Sequence, residues 1–195
     1  MEVESMKSNA LPPPKGRLLV KRDGHSITGQ IPKPVVIIDT REQTPFTFAG
    51  HTNWIAGTVR RKLDAGDYSA EGMEKLLSLE RKSLSDLITT LMQGRGRFLE
   101  ECERLVKYRW RAILIEASYE DIKSSYDEEL CTAASPNAVS GTLDAVEARF
   151  QIPVIYSSQD RALAEEKAAS WLSKHFTYWY LEENGFGRVL QEGDF

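Results

Sequence analysis

The chain has 195 residues, of which 41% are hydrophobic and 28% charged, with a net charge of −4. That length gives one domain with room for an appendage, large enough to bury a core without disulfides or zinc. The apolar content excludes a wholly disordered chain, and no run of about 18 apolar residues exists to span a membrane as a helix.

Residues 1–10 are polar, include Glu2 and Glu4, and lack the apolar stretch of a secretory signal. Leu11-Pro12-Pro13-Pro14 favours an extended segment. Residues 17–20 followed by Asp23-Gly24 suggest a small hairpin. Residues 1–33 together read as a flexible or extended arm. The core opens at Val35-Val36-Ile37-Ile38, a β-branched run ending at Asp39 as a buried strand does. Residues 43–57, with Pro45, Gly50, Asn53 and Gly57, read as loop around one short helix. A strand is expected over 58–63. A hairpin is expected from strands 67–70 and 75–82 about Glu71-Gly72-Met73-Glu74.

Helical periodicity then takes over. Leu84, Leu87, Ile88, Leu91 and Met92 form one apolar stripe, Gly94 and Gly96 interrupt it, and Phe98, Leu99, Cys102, Leu105 and Val106 resume it. Residues 112–116 read as a strand. Ser135-Pro136 has the form of a cap and a first-turn proline, opening a helix with Val139, Leu143, Val146 and Phe150. Another strand follows at 153–156, and Asp160 caps a helix through Trp171 and Leu172. Strands alternating with helices make the chain α/β. A globular unit over 34–180 and a C-terminal tail over 181–195 are expected.

Cys102 and Cys131 have no C-x-x-C spacing and no histidine pair beside them, which argues against zinc and disulfides and for a reducing, cytoplasmic setting. Charge is unevenly spread. Lysines and arginines stand against acids at 7 to 5 over residues 1–56, 12 to 9 over 57–111 and 6 to 15 over 112–195. A basic middle is compatible with a polyanionic partner.

The informative stretch is Leu79-Glu80-Arg81-Lys82. On a strand, Glu80 and Lys82 share one face and Arg81 takes the other. A hairpin turning symmetrically about Gly72-Met73-Glu74-Lys75 sets Asp67 opposite Glu80. Directly opposed Cβ atoms lie about 4.5–5.5 Å apart, so the two carboxylates repel. A divalent cation between them makes sense of the arrangement, since magnesium is held by one or two carboxylates with waters and phosphate oxygens completing its shell. Lys82 would then orient the nucleophile or neutralise transition-state charge. Asp39-Thr40-Arg41-Glu42 puts further charge at a strand end, where ligands gather in α/β sheets. Asp39 or Glu42 could complete the metal shell and Arg41 could meet a phosphate, or Arg41 and Glu42 could be a local ion pair. Asp86 fits a capping box begun at Ser83. Gly94-Arg95-Gly96-Arg97-Phe98 offers two arginines on flexible backbone for phosphate, or a helix break with solvated arginines. The aromatic run Phe176-Thr177-Tyr178-Trp179-Tyr180 reads as packing at a helix end. His25, His51 and His175 stand alone and receive no catalytic role.

Taken in order, Ile38-Asp39-Thr40-Arg41-Glu42, Gly66-Asp67-Tyr68 and Glu80-Arg81-Lys82-Ser83-Leu84-Ser85-Asp86-Leu87 resemble the nuclease signature of the XPF family, G-D-x(n)-E-R-K-x-x-x-D preceded by D-x-R-E. The segment Gly94-Arg95-Gly96-Arg97-Phe98 resembles the G-R-x-R-F of bacterial and phage members. The resemblance spans about residues 34–175. It implies a restriction-endonuclease-like fold of the PD-(D/E)XK type, a central mixed sheet flanked by helices. It also implies hydrolysis of DNA phosphodiesters with magnesium or manganese, structure-specific and in repair or recombination. Carried over by residue, Asp39, Asp67 and Glu80 become metal ligands and Lys82 the catalytic lysine. Arg41, Glu42, Arg81 and Asp86 become site residues, and Arg41, Arg95 and Arg97 meet DNA. DNA is the expected partner, a homodimer is left open, and no membrane or nucleotide cofactor is expected. The glycine hairpins of the helix-hairpin-helix pair found in much of that family are not visible after residue 160. Two alternatives stand beside this reading: a junction-resolving nuclease with the same site, and a non-catalytic scaffold, as some family partners are. Such partners usually lose the acids, which are present here.

Overall fold

The computed structural model describes residues 16–126 and 134–186. Its centre is a six-stranded mixed sheet in the order β4-β3-β5-β6-β7-β8. The strands are β3 (Val35–Ile38), β4 (Gly57–Arg60), β5 (Tyr68–Ala70), β6 (Leu77–Ser83), β7 (Trp110–Glu116) and β8 (Val154–Tyr156). β5 pairs antiparallel with both β3 and β6, whereas β3–β4, β6–β7 and β7–β8 are parallel. The expected α/β fold with a mixed sheet is therefore present, and the strand expected over 58–63 is shorter, ending at Arg60.

Alternation along the central strands sorts two cores. Leu77, Leu79, Ala112 and Leu114 face helix α5 (Arg161–Glu183) together with Phe46, Phe48 and Tyr68. Ile113 and Ile115 face the other layer, made of α1 (Leu84–Gln93), α2 (Arg95–Leu105), α3 (Tyr119–Lys123) and α4 (Pro136–Phe150). The sequence reading had no α3; it is a five-residue helix made by a capping box in which Ser118 and Asp121 serve each other's backbone. Cys102 is buried and free, and Cys131 lies outside the described residues.

The structure refines three expectations. The segment read as an extended arm carries a hairpin, β1 (Lys21–Arg22) with β2 (His25–Ser26), turning on Asp23 and Gly24 at φ 51° and 78°. Val20, Ile27 and Ile31 bury themselves with Leu181, so residues 16–33 pack on α5. Of the two readings of Gly94 to Phe98, the helix break with exposed arginines holds. Gly94 ends α1 and begins α2, Gly96 sits in the first turn of α2, and buried Phe98 anchors that turn. The aromatic run at 176–180 lies inside α5, which extends to Glu183, and Phe176 enters the core. Among the described residues, no helix is long and apolar enough to cross a membrane.

Candidate active site

The site is built on the β5–β6 hairpin at the centre of the sheet. Gly66 precedes β5 at φ 74°, a conformation that glycine adopts without steric cost. An added Cβ there would collide with Ser78 Oγ and lie 3.2 Å from the Leu79 carbonyl, so glycine lets the two strands close. Asp67 follows at once. Its N–H donates to Leu79 O at 2.9 Å, and its carbonyl accepts from the Asp39 N–H at 2.8 Å. The register Tyr68↔Leu79, continued by one residue, sets Asp67 opposite Glu80. Asp67 Oδ2 accepts from the Arg81 N–H at 2.8 Å.

Glu80 is 4% exposed, although it is a carboxylate. On its face of β6 stands Lys82, whose Nζ donates to Glu80 Oε1 at 2.7 Å and pairs with Glu101 Oε2 of α2 at 3.2 Å. The ammonium also lies 5.7 Å from the centre of the Phe98 ring. Burial pushes the Asp67 carboxyl up to about 6. The Arg81 N–H works against that rise, and the Glu42 charge adds to it. Burial, then the charge of Asp67, pushes Glu80 well above the ordinary carboxylate range. Burial disfavours the Lys82 ammonium, but Glu80 and Glu101 outweigh it and raise its pKa. Lys82 is thus a cation at neutral pH, fit to donate a hydrogen bond and unfit to act as a base.

These residues line a cleft of about 520 Å³. All eight residues expected as catalytic reach it: Asp39, Arg41, Glu42, Asp67, Glu80, Arg81, Lys82 and Asp86. Their engagements differ. Asp39 is buried; its Oδ1 accepts from Arg41 N and Nε at 2.8 and 2.7 Å, and its Oδ2 from Leu63 N at 2.6 Å. Burial would raise the Asp39 pKa, but Arg41 and the Leu63 N–H hold it below its usual value. Arg41 keeps most of its side chain in solvent while pairing with Asp39. Ser83 caps α1: its Oγ accepts from the Asp86 N–H at 3.1 Å, and its hydroxyl donates to Asp86 Oδ2 at 2.7 Å.

Arg81 and Glu42 belong to a separate buried network. Arg81 Nη2 donates to Glu42 Oε1 at 3.2 Å and to Thr44 Oγ1 at 3.0 Å, and Nη1 bonds Glu116 at the end of β7. The Phe46 ring lies under both Arg81 and Arg161, at 5.3 and 4.9 Å. The side chains of Arg81, Glu42 and Glu116 are 7–9% exposed. Removing one partner of a buried pair leaves the other charge uncompensated. Arg81→Met is therefore expected to destabilise the fold by about 3–5 kcal/mol, read as a shift of the urea midpoint. A midpoint within error of wild type would show that the network carries no such weight.

Sequence reasoning missed Asp64, Thr90, Glu101 and Arg104, which also line the cleft. Glu101 and Arg104 sit on one helical stripe with Arg97, at i, i+4 and i+7, and that spacing was the available signal. Arg97 lines an adjoining groove, whereas Arg95 lines neither this groove nor the cleft.

Among the described residues, no group of three or more His, Cys, Asp or Glu is disposed to hold a metal ion. Asp39, expected as a ligand beside Asp67 and Glu80, is held by its protein neighbours in this structure. Both Asp39 oxygens are occupied by Arg41 and the Leu63 N–H, so its carboxylate is satisfied without a cation. The opposed pair Asp67 and Glu80 still fits a hard cation, because magnesium takes as few as one or two carboxylates. The cleft wall carries seven carboxylates against four cationic side chains, a donor set that a phosphate approaches only with added positive charge.

A mixed sheet with an acid-rich cleft on its central hairpin defines a restriction-endonuclease-like domain. Residues 38–169 match the ERCC4 domain family. The fold is similar to that of XPF from Aeropyrum pernix, with a TM-score of 0.55 and 19% identity, covering 82% of this chain and 67% of that one. A search of curated protein sequences finds no match. The chain belongs to the ERCC4 domain family and is an XPF-type nuclease domain.

Proposed function

We propose that this domain is a divalent-metal-dependent DNA endonuclease that cuts flap, fork or other branched DNA in repair or recombination. The carrying observation is the opposition of Asp67 and Glu80 at the base of an acidic cleft, with Lys82 bonded to Glu80 on the same face. Asp67 and Glu80 would hold magnesium or manganese, which supplies a water of lowered pKa and positive charge against the phosphate. Lys82 donates from its ammonium to a phosphate oxygen as charge builds there. Glu101 holds that ammonium from the side of α2 and keeps it aimed along the face of β6. Arg41, largely solvated at the cleft rim, meets the incoming backbone. Arg81, Glu42 and Asp86 act by holding the loop after β3 and the start of α1 in place. The catalytic unit is taken as residues 34–180, with 1–33 and 181–195 outside it, and its setting as the cytoplasm.

The test is a panel of labelled flap, fork, nicked, single-stranded and four-way DNA, incubated with magnesium, manganese or excess chelator. Cleavage of at least one branched substrate with metal, and none in chelator, is expected. Undiminished cutting in chelator overturns the metal site. Equal rates on plain duplex overturn the structure preference.

A further inference from the structure

The acidic cleft opens sideways into a groove of about 360 Å³ between α1 and α2. The two share Lys82, Thr90, Glu101 and Arg104. Across that boundary the balance of charge reverses. The groove is lined by three cations, Lys82, Arg97 and Arg104, against the single carboxylate Glu101. Glu101 is already engaged by Lys82 at 3.2 Å. Arg97 and Arg104 form no ion pair among the described residues, although Glu100 and Glu103 lie on the same helix. Two exposed guanidiniums on one helical face therefore stand uncompensated beside the cleft.

We infer that this groove holds the DNA strand next to the cut site, with Arg97 and Arg104 each bonded to a backbone phosphate; the inference rests on the nuclease reading above. Guanidinium makes paired, charge-assisted bonds to phosphate. Base recognition is not built in: Phe98, the aromatic residue lining the groove, is 1% exposed and offers no face for stacking. Thr89 and Gln93 add neutral polar groups, which suit phosphate and sugar contacts without reading sequence. Seven residues of helix rise about 10 Å, so Arg97 and Arg104 are spaced by that much along α2, with Glu101 and its partner Lys82 between them. That spacing lets the two arginines reach separate phosphates of one strand.

The experiment is a scan of single methylphosphonates, each removing one backbone charge, along the strand that is cut. Binding is measured in calcium with wild type, Arg97→Gln, Arg104→Gln and the double variant. Arg149→Gln, which removes the same charge from the last turn of α4, controls for net charge. Wild type is expected to show two sensitive positions, each weakened about tenfold. Arg97→Gln silences one and Arg104→Gln the other. The double variant flattens the slope of log affinity against log salt by about two. If both variants keep the wild-type scan while wild type still cuts DNA, the groove does not hold the strand and the nuclease reading survives. If the scan behaves as expected but no metal supports cutting, the groove stands as a DNA-binding site and the nuclease reading falls.

Discussion

Lys82→Ala is expected to lower turnover by a factor of about 100–1,000 while the fold and most DNA affinity persist. In the resting site the Lys82 side chain is 12% exposed and bonded to Glu80 and Glu101, so it has little free charge to offer a bound ground state. Its contribution grows as charge develops on the phosphate, and loss of such a contact lowers kcat rather than raising KM. Truncation also leaves Asp67, Glu80 and Glu101 facing one another without their cation, so the variant's thermal midpoint should fall in chelator and recover with magnesium. Lys82→Met, which keeps the stem packed against Phe98, separates lost charge from lost packing. Near-normal turnover in either variant would reduce Lys82 to an ion-pair partner of Glu80 and Glu101.

Asp67→Asn is expected to abolish cutting at every magnesium concentration and, in chelator, to stabilise the protein by about 1–2 kcal/mol. The carboxylate is half-buried opposite Glu80 and feels the charges of Glu42 and Glu101, all of one sign. An amide of the same shape keeps the bond from the Arg81 N–H and removes the repulsion. Glu80→Gln should behave alike in activity, with less gain because Lys82 loses a partner. Wild type should be stabilised by magnesium in proportion to RT ln(1 + [Mg]/Kd), and both variants should lose that response. An unchanged magnesium response in both variants would remove Asp67 and Glu80 from the metal site.

The part of the site carried by one hairpin was readable from the sequence. The turn at Gly72-Met73-Glu74-Lys75 sets the register of β5 against β6, and a period of two then places Asp67, Glu80 and Lys82. The run Val35 to Ile38 likewise delivers Asp39 to a buried strand end. What escaped comes from distant elements. Glu116 reaches Arg81 because β7 lies parallel to β6, a pairing fixed by helices α1 and α2 and not by any local turn. Glu101 and Arg104 look in the sequence like ordinary surface charges on a helix. Only the packing of α2 against α1 and α4 brings them to Lys82 and the cleft. Gly94 breaks the helix as its chemistry suggests, but Gly96 is carried inside α2, because burial of Phe98 and Cys102 on the apolar stripe outweighs the weak helix propensity of one glycine.

The position of β6 sets how the nuclease can adapt to its substrate. It is the fourth of six strands and is paired on both sides, so its amides belong to the part of the molecule that opens last. Glu80 and Lys82 are thereby set on the most firmly held strand of the sheet. Compliance to a bent or forked duplex falls to the periphery: the loop after β3 that holds Arg41, the loop from Lys62 to Gly66, and the α1–α2 junction at Gly94. On the proposed function, recognition of DNA shape and the chemistry of the cut would fall to regions of different stiffness within the same fold.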